Sequence, residues 1–151
     1  MKIGEEIKQG KPFRNPYHKA SVNLLFTGRW IFNLHNELFK TFGLTVQQYN
    51  ILRILKGQYP KTATVKLIRE RMLDKMSDAS RIVENLRLKG LVAREHSDGD
   101  RRTVDVIITQ KGFDLLDTIE EKGSVTLDSY LSNLPQNEIE QLDSLLDKVR
   151  G

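Results

Sequence analysis

Between residues 74 and 109 the apolar pattern changes its period, and few folds accommodate that change. Ala79, Ile82, Val83 and Leu86 fall at i, i+3, i+4 and i+7, which is one face of a helix. Asp74 or Ser77 is placed to cap its start, Asp78 suits the partly positive first turn, and Gly90 is placed to end it. From residue 103 the spacing becomes two. Val104, Val106 and Ile108 point one way, while Thr103, Asp105 and Ile107 point the other. A shorter run covers 91–96, and Ser97-Asp98-Gly99-Asp100 between the two is a turn by composition. The stretch therefore predicts a helix followed by a β-hairpin with a charged tip, Asp100-Arg101-Arg102. Small polar groups on a helix beside a basic hairpin give the outline of a winged helix-turn-helix.

The remainder is helical in pattern. Residues 1–16 are polar, contain Pro12 and Pro16, and are expected to form an extended arm. Residues 17–42 predict one long helix. Its apolar residues, among them Leu24, Leu25, Phe26, Trp30, Ile31, Leu34 and Phe39, cover more than one face, so it needs burial on several sides. A second copy of the chain would supply that surface; the competing use is an aromatic wall around a ligand. Thr45-Val46-Gln47-Gln48 fits a capping box for a helix that ends at Gly57. Residues 58–64 read as a connection. Residues 65–72 read as a short helix with Val65, Ile68 and Met72 inward and Lys66, Arg69, Glu70 and Arg71 outward. After the hairpin, Thr109-Gln110-Lys111-Gly112 leads into a helix faced by Phe113, Leu115, Leu116 and Ile119, with Gly123-Ser124 as an interruption or bend. Pro135 suits the first position of a last helix carrying Ile139, Leu142, Leu145, Leu146 and Val149 on one face.

Charge divides the chain. Residues 61–102 hold 11 Lys/Arg against 7 Asp/Glu, whereas residues 113–151 hold 3 against 9. The first part suits a polyanion and the second does not. There is no cysteine, hence no disulfide framework and no thiol switch. His18, His35 and His96 show no metal-ligand spacing. The start lacks an apolar signal region and no apolar run approaches a membrane span, so a cytoplasmic protein is expected. With no Gly-rich phosphate loop, nucleophile elbow or metal cluster, the expectation is a protein without cofactor that is not an enzyme.

Four segments in order carry a resemblance: Ser77-Asp78-Ala79-Ser80-Arg81-Ile82-Val83-Glu84-Asn85-Leu86, then Lys89-Gly90-Leu91-Val92-Ala93-Arg94, then Asp98-Gly99-Asp100-Arg101-Arg102, then Ile108-Thr109-Gln110-Lys111-Gly112. Together they resemble the MarR family of bacterial transcription regulators. The resemblance implies a mainly α fold with a small β-hairpin wing, in a single domain over 1–151. Its winged helix-turn-helix lobe would be 45–109, with dimerisation helices over 17–42 and 110–150. It implies a homodimer on a palindromic operator in double-stranded DNA, acting as a ligand-responsive repressor. Ser77, Ser80 and Arg81 would lie on the recognition helix. Arg102 would be the wing arginine, oriented by Asp100, and Lys66, Lys75 and Arg101 would meet phosphates. Family members respond to small, often aromatic, effectors, for which Trp30, His35 and Tyr49 are the candidate wall residues. Asp78 departs from the family pattern, which has a small neutral residue there. The alternative is a winged-helix protein–protein module that does not bind DNA.

Overall fold

The structure, a computed structural model, describes residues 1–96, 103–127 and 129–151, apart from the side chains of residues 96 and 123–127. They form two compact units, Met1–Val46 and Gln47–Gly151. In the first, the expected arm contains a short helix, α1 (Ile3–Glu6), because Ile3 is buried and the Lys2 N–H donates to Glu5 Oε2 at 3.1 Å. The long helix is α2 (Pro16–Lys40). Asn15 caps it, accepting from the His18 N–H at 2.8 Å, and Pro16 fills the first helical position, where its missing N–H costs nothing. Phe39 is its one buried residue. Leu24, Leu25, Phe26, Trp30 and Leu34 stay exposed, so the burial on several sides expected from the pattern does not occur within one chain.

In the second unit α3 (Val46–Gln58) begins directly after Thr45. Next come β1 (Ala63–Thr64), α4 (Val65–Arg71), α5 (Ala79–Leu88), β2 (Val92–His96) and β3 (Val104–Ile108). The strands form an antiparallel sheet in the order β1-β3-β2, with Val92 opposite Ile108, Arg94 opposite Val106, and Ala63 opposite Val106 on the other edge. β1 lies where a plain connection was expected. Two residues are too few to show a period, and the pairing is set from a distance: Ala63 is buried, and the Thr62 hydroxyl meets Asp105 Oδ2 at 3.1 Å. Thr64 then caps α4, accepting from the Leu67 N–H at 3.1 Å.

Ile51, Leu52 and Leu55 of α3, Ile68 of α4, and Ala79, Val83 and Leu86 of α5 are buried, as are Val106 and Ile108 of β3. α4 packs on α5 and β1, and α5 packs on β2. Leu116 and Ile119 add the buried face of α6 (Gln110–Leu127). Of the interruption or bend expected at Gly123-Ser124, the interruption is absent, since α6 runs through both. A 3-10 turn (Ser129–Leu131) precedes α7 (Gln136–Arg150). Pro135 stands one position earlier than expected, at the N-cap with extended ψ, so it fixes the approach to the helix and not its first turn. α7 buries none of its residues. Among the described residues no helix is long and apolar enough to cross a membrane.

Candidate nucleic-acid interface

The start of α5 is built by two aspartates with separate tasks. Asp78 is the N-cap: its Oδ1 accepts from the Arg81 N–H at 3.1 Å. This corrects the assignment of the cap to Asp74 or Ser77 and removes Asp78 from the first helical turn. A cap must reach an amide two or three residues on from a non-helical backbone, and Asp78 (φ -78°, ψ 88°) holds that position. It also accounts for a carboxylate where the family pattern has a neutral residue, since the N–H groups of a helix start favour negative charge.

Asp74 instead ties the loop before the helix. Its Oδ1 accepts from the Met76 N–H at 3.0 Å and its Oδ2 from Gln47 Nε2 at 3.4 Å. The Ser77 hydroxyl, that amide and Gln47, in descending order, hold the Asp74 carboxyl below its ordinary value. Asn50 adds a second tether from α3, its Oδ1 accepting from the Leu73 N–H at 3.0 Å. The loop is thus fixed by side chains before any ligand arrives.

This brings Ser77, Ser80 and Arg81 together at the N-terminal end of α5. Ser80 and Arg81 are exposed and Ser77 is half-buried. Lys75 is exposed beside them, with Nζ resting on the Glu70 carbonyl. Lys66 is exposed in the first turn of α4. Asp100, Arg101 and Arg102 lie outside the described residues.

Sequence reasoning missed a cluster farther along α5. Arg81, Glu84 and Leu88 follow one another at i, i+3 and i+7 along one stripe of this helix, whereas Ser77, expected on the recognition helix, lies before its cap. Glu84 is engaged from both sides: Arg87 Nη2 donates to it at 2.8 Å, and Arg94 Nη2, from β2, donates at 2.9 Å. Arg87 is the main cause that lowers the Glu84 carboxyl's pKa, and Glu84 in turn raises that of Arg87. The Glu84–Arg87 spacing was legible as an i, i+3 pair. The Arg94 contact was not, because it depends on where β2 returns against the helix.

Trp30 and His35 lie on α2. Trp30 is 45% exposed and shares with Phe26, Asn23, Thr27 and the first residues of the chain an open cavity of about 480 Å³. His35 does not line that cavity; its ring stands 5.8 Å from that of Phe39. Tyr49 is half-buried on α3, in the other unit.

The geometry is therefore a capped helix with serines and an arginine at its exposed start, backed by a small antiparallel sheet. Residues 42–103 match the model of the MarR family. The HTH-type transcriptional regulator MgrA of Staphylococcus aureus is 32% identical over 116 residues, which are 76% of this chain and 75% of that protein. The chain belongs to the MarR family. As a MarR-family chain it is a DNA-binding transcriptional regulator and not an enzyme. Its fold is that of a MarR variant from E. coli complexed with operator DNA, with TM-score 0.78 and 21% identity over 92% of this chain and 99% of the other. CouR from Rhodococcus jostii, bound to p-coumaroyl-CoA, shares the fold at TM-score 0.70 and 21% identity, over 86% and 90% of the two chains.

Proposed function

We propose that this MarR-family protein works as a homodimeric, ligand-responsive repressor on a palindromic operator in double-stranded DNA, in the cytoplasm. The observation that carries the reading is the outward presentation of Ser80 and Arg81 at a capped helix start whose loop is already tied. Helix-turn-helix proteins contact base edges from that end of the recognition helix. Ser77 and Ser80 are short donors and acceptors for bases or phosphates, and Arg81 forks onto a guanine or clamps a phosphate. Lys66 and Lys75 serve as phosphate contacts. Asp100, Arg101 and Arg102 are assigned to the wing, with Arg102 in the minor groove.

The dimer follows from the apolar residues of α2 and α7 that the chain leaves in water, among them Leu25 at 74% and Val149 at 70% exposure. Under this reading residues 45–109 are the DNA-reading lobe, and 17–42 and 110–150 join the two copies. Two recognition helices about 34–36 Å apart then meet successive major grooves. The effector is an aromatic small molecule, with Trp30, His35 and Tyr49 as its contact candidates. It regulates only if it favours one arrangement of the reading heads over another.

Titration against mixed-sequence duplex DNA at two salt concentrations tests the central claim. Binding should weaken steeply with salt, because each neutralised phosphate releases counterions. Arg81→Ala should cost about tenfold or more in affinity for a selected sequence, in line with roughly 1–3 kcal/mol for a bidentate base contact. Binding that ignores both salt and this substitution would overturn the reading.

A further inference from the structure

The loop between α4 and α5 carries two of the most exposed large apolar side chains of the molecule, Leu73 at 86% and Met76 at 93%. Exposed apolar residues are common on loose segments, but this loop is tied. The Leu73 amide is held by Asn50 and the Met76 amide by Asp74, which is itself held by Gln47 and the Ser77 hydroxyl. Both tethers reach back to α3, so a rigid scaffold presents these side chains to solvent. Met76 immediately precedes Ser77 and stands two residues before the cap Asp78. It therefore belongs to the end of α5 assigned above to the major groove.

We infer that Met76 is a further specificity-determining residue and that its partner is the 5-methyl group of thymine. Two features select DNA as the occupant. Met76 stands next to Ser77 and shortly before Ser80 and Arg81 in the chain. Residues 65–78 carry Lys66, Arg69, Arg71 and Lys75 against Glu70, Asp74 and Asp78, of which Asp74 and Asp78 are engaged by the Met76 and Arg81 amides respectively. Such a surface attracts a polyanion and would disfavour a basic protein partner. In the major groove the thymine methyl is the apolar group that distinguishes its base pair, and apolar side chains meet it by contact. The flexible thioether of methionine adapts to such a contact without demanding a single rotamer. Leu73 lies behind Met76 in the chain and flanks the contact.

This inference rests on the DNA-reading proposal, and the experiment separates the two. A duplex sequence is first selected from a randomised library with the full-length protein. It is then synthesised with thymine, or with deoxyuridine at each thymine position, which removes only the methyl groups. The wild-type protein should bind the uracil duplex about fourfold more weakly for each methyl lost from contact. If both half-sites make the contact, the loss is roughly fifteenfold. Met76→Ala should bind the two duplexes equally, and Met76→Leu should keep the preference. Arg81→Ala should lower affinity for both while leaving their ratio unchanged. An unchanged thymine-to-uracil ratio in Met76→Ala overturns the inference while leaving DNA reading intact. Failure of any sequence to be enriched overturns both.

Discussion

Helices α5 and α7 are both amphipathic, and the chain treats them in opposite ways. α5 has 10 residues and buries four of them; α7 has 15 and buries none. The contrast is not one of sequence pattern, since the leucine-bearing face of α7 is as regular as the apolar face of α5. It is one of available surface. α5 lies against α4 and β2, whereas Leu142, Leu145 and Val149 of α7 remain exposed. An apolar face costs free energy in proportion to the area left in water. The reading helix is completed by its own chain, and α7 is completed only by another surface, which we assign to a second copy.

Substitutions on the two sides of this contrast should behave differently. Leu86→Ala, at a fully buried site on α5, should cost about 3 kcal/mol, within the 2–5 typical of such cavities. The melting temperature should fall to the same extent at every protein concentration. Gly112→Ala tests the same side from the opposite direction. A Cβ there would stand 2.4 Å from the Leu91 carbonyl oxygen and 2.7 Å from Ile108 Cγ1, so a cost of roughly 2 kcal/mol is expected, read by chemical denaturation. Leu145→Asp on α7 should leave helical circular dichroism unchanged but weaken self-association by about tenfold or more, as removal of one buried leucine contact implies. Sedimentation across concentrations measures it, and an unaltered mass distribution would remove α7 from the interface.

Smaller effects probe the start of α5. Asp78→Ala should cost about 1 kcal/mol through loss of the cap, with Asp78→Asn retaining most of it, measured by thermal melting. For Asp74 the folded carboxyl lies below its ordinary value, so its tether is complete above the unfolded pKa of about 3.9 and is lost as pH falls through the depressed folded value. An NMR titration of the Asp74 carboxyl and the Met76 amide should show both moving together in that acid range. A Met76 amide that shifts independently would place the loop under other control.

The sequence displayed what repeats and concealed what is contributed from afar. The period of α5, the alternation of β3 and the apolar faces of α6 and α7 were all legible, because each element states its own geometry over several residues. Ala63 and Thr64 were not legible as a strand, for their pairing is dictated by β3, some forty residues away. Nor could spacing decide which of Asp74, Ser77 and Asp78 caps α5. All three are capping residue types, and the choice depends on a backbone angle and on tethers from Gln47 and Asn50. The period of the helix was enough to place Ser80 and Arg81 at its exposed start, while Ser77, read as part of the helix, stands before the cap. Met76 escaped because an exposed methionine has no meaning until its loop is seen to be tied, and Arg94 because its partner is on another element.

The junction at the root of the hairpin has a mechanical consequence. The Thr109 hydroxyl donates to the Gly90 carbonyl at 2.7 Å and accepts from the Gly112 N–H, the Thr109 N–H donates to Leu91, and Lys111 Nζ meets the Lys89 carbonyl at 2.8 Å. Gly112 leaves no clearance at that point, as its missing side chain shows. The end of α5, the base of the hairpin and the first turn of α6 are therefore geared without backlash. Any turn imposed on the front of α6 must be delivered to the reading helix and not absorbed on the way.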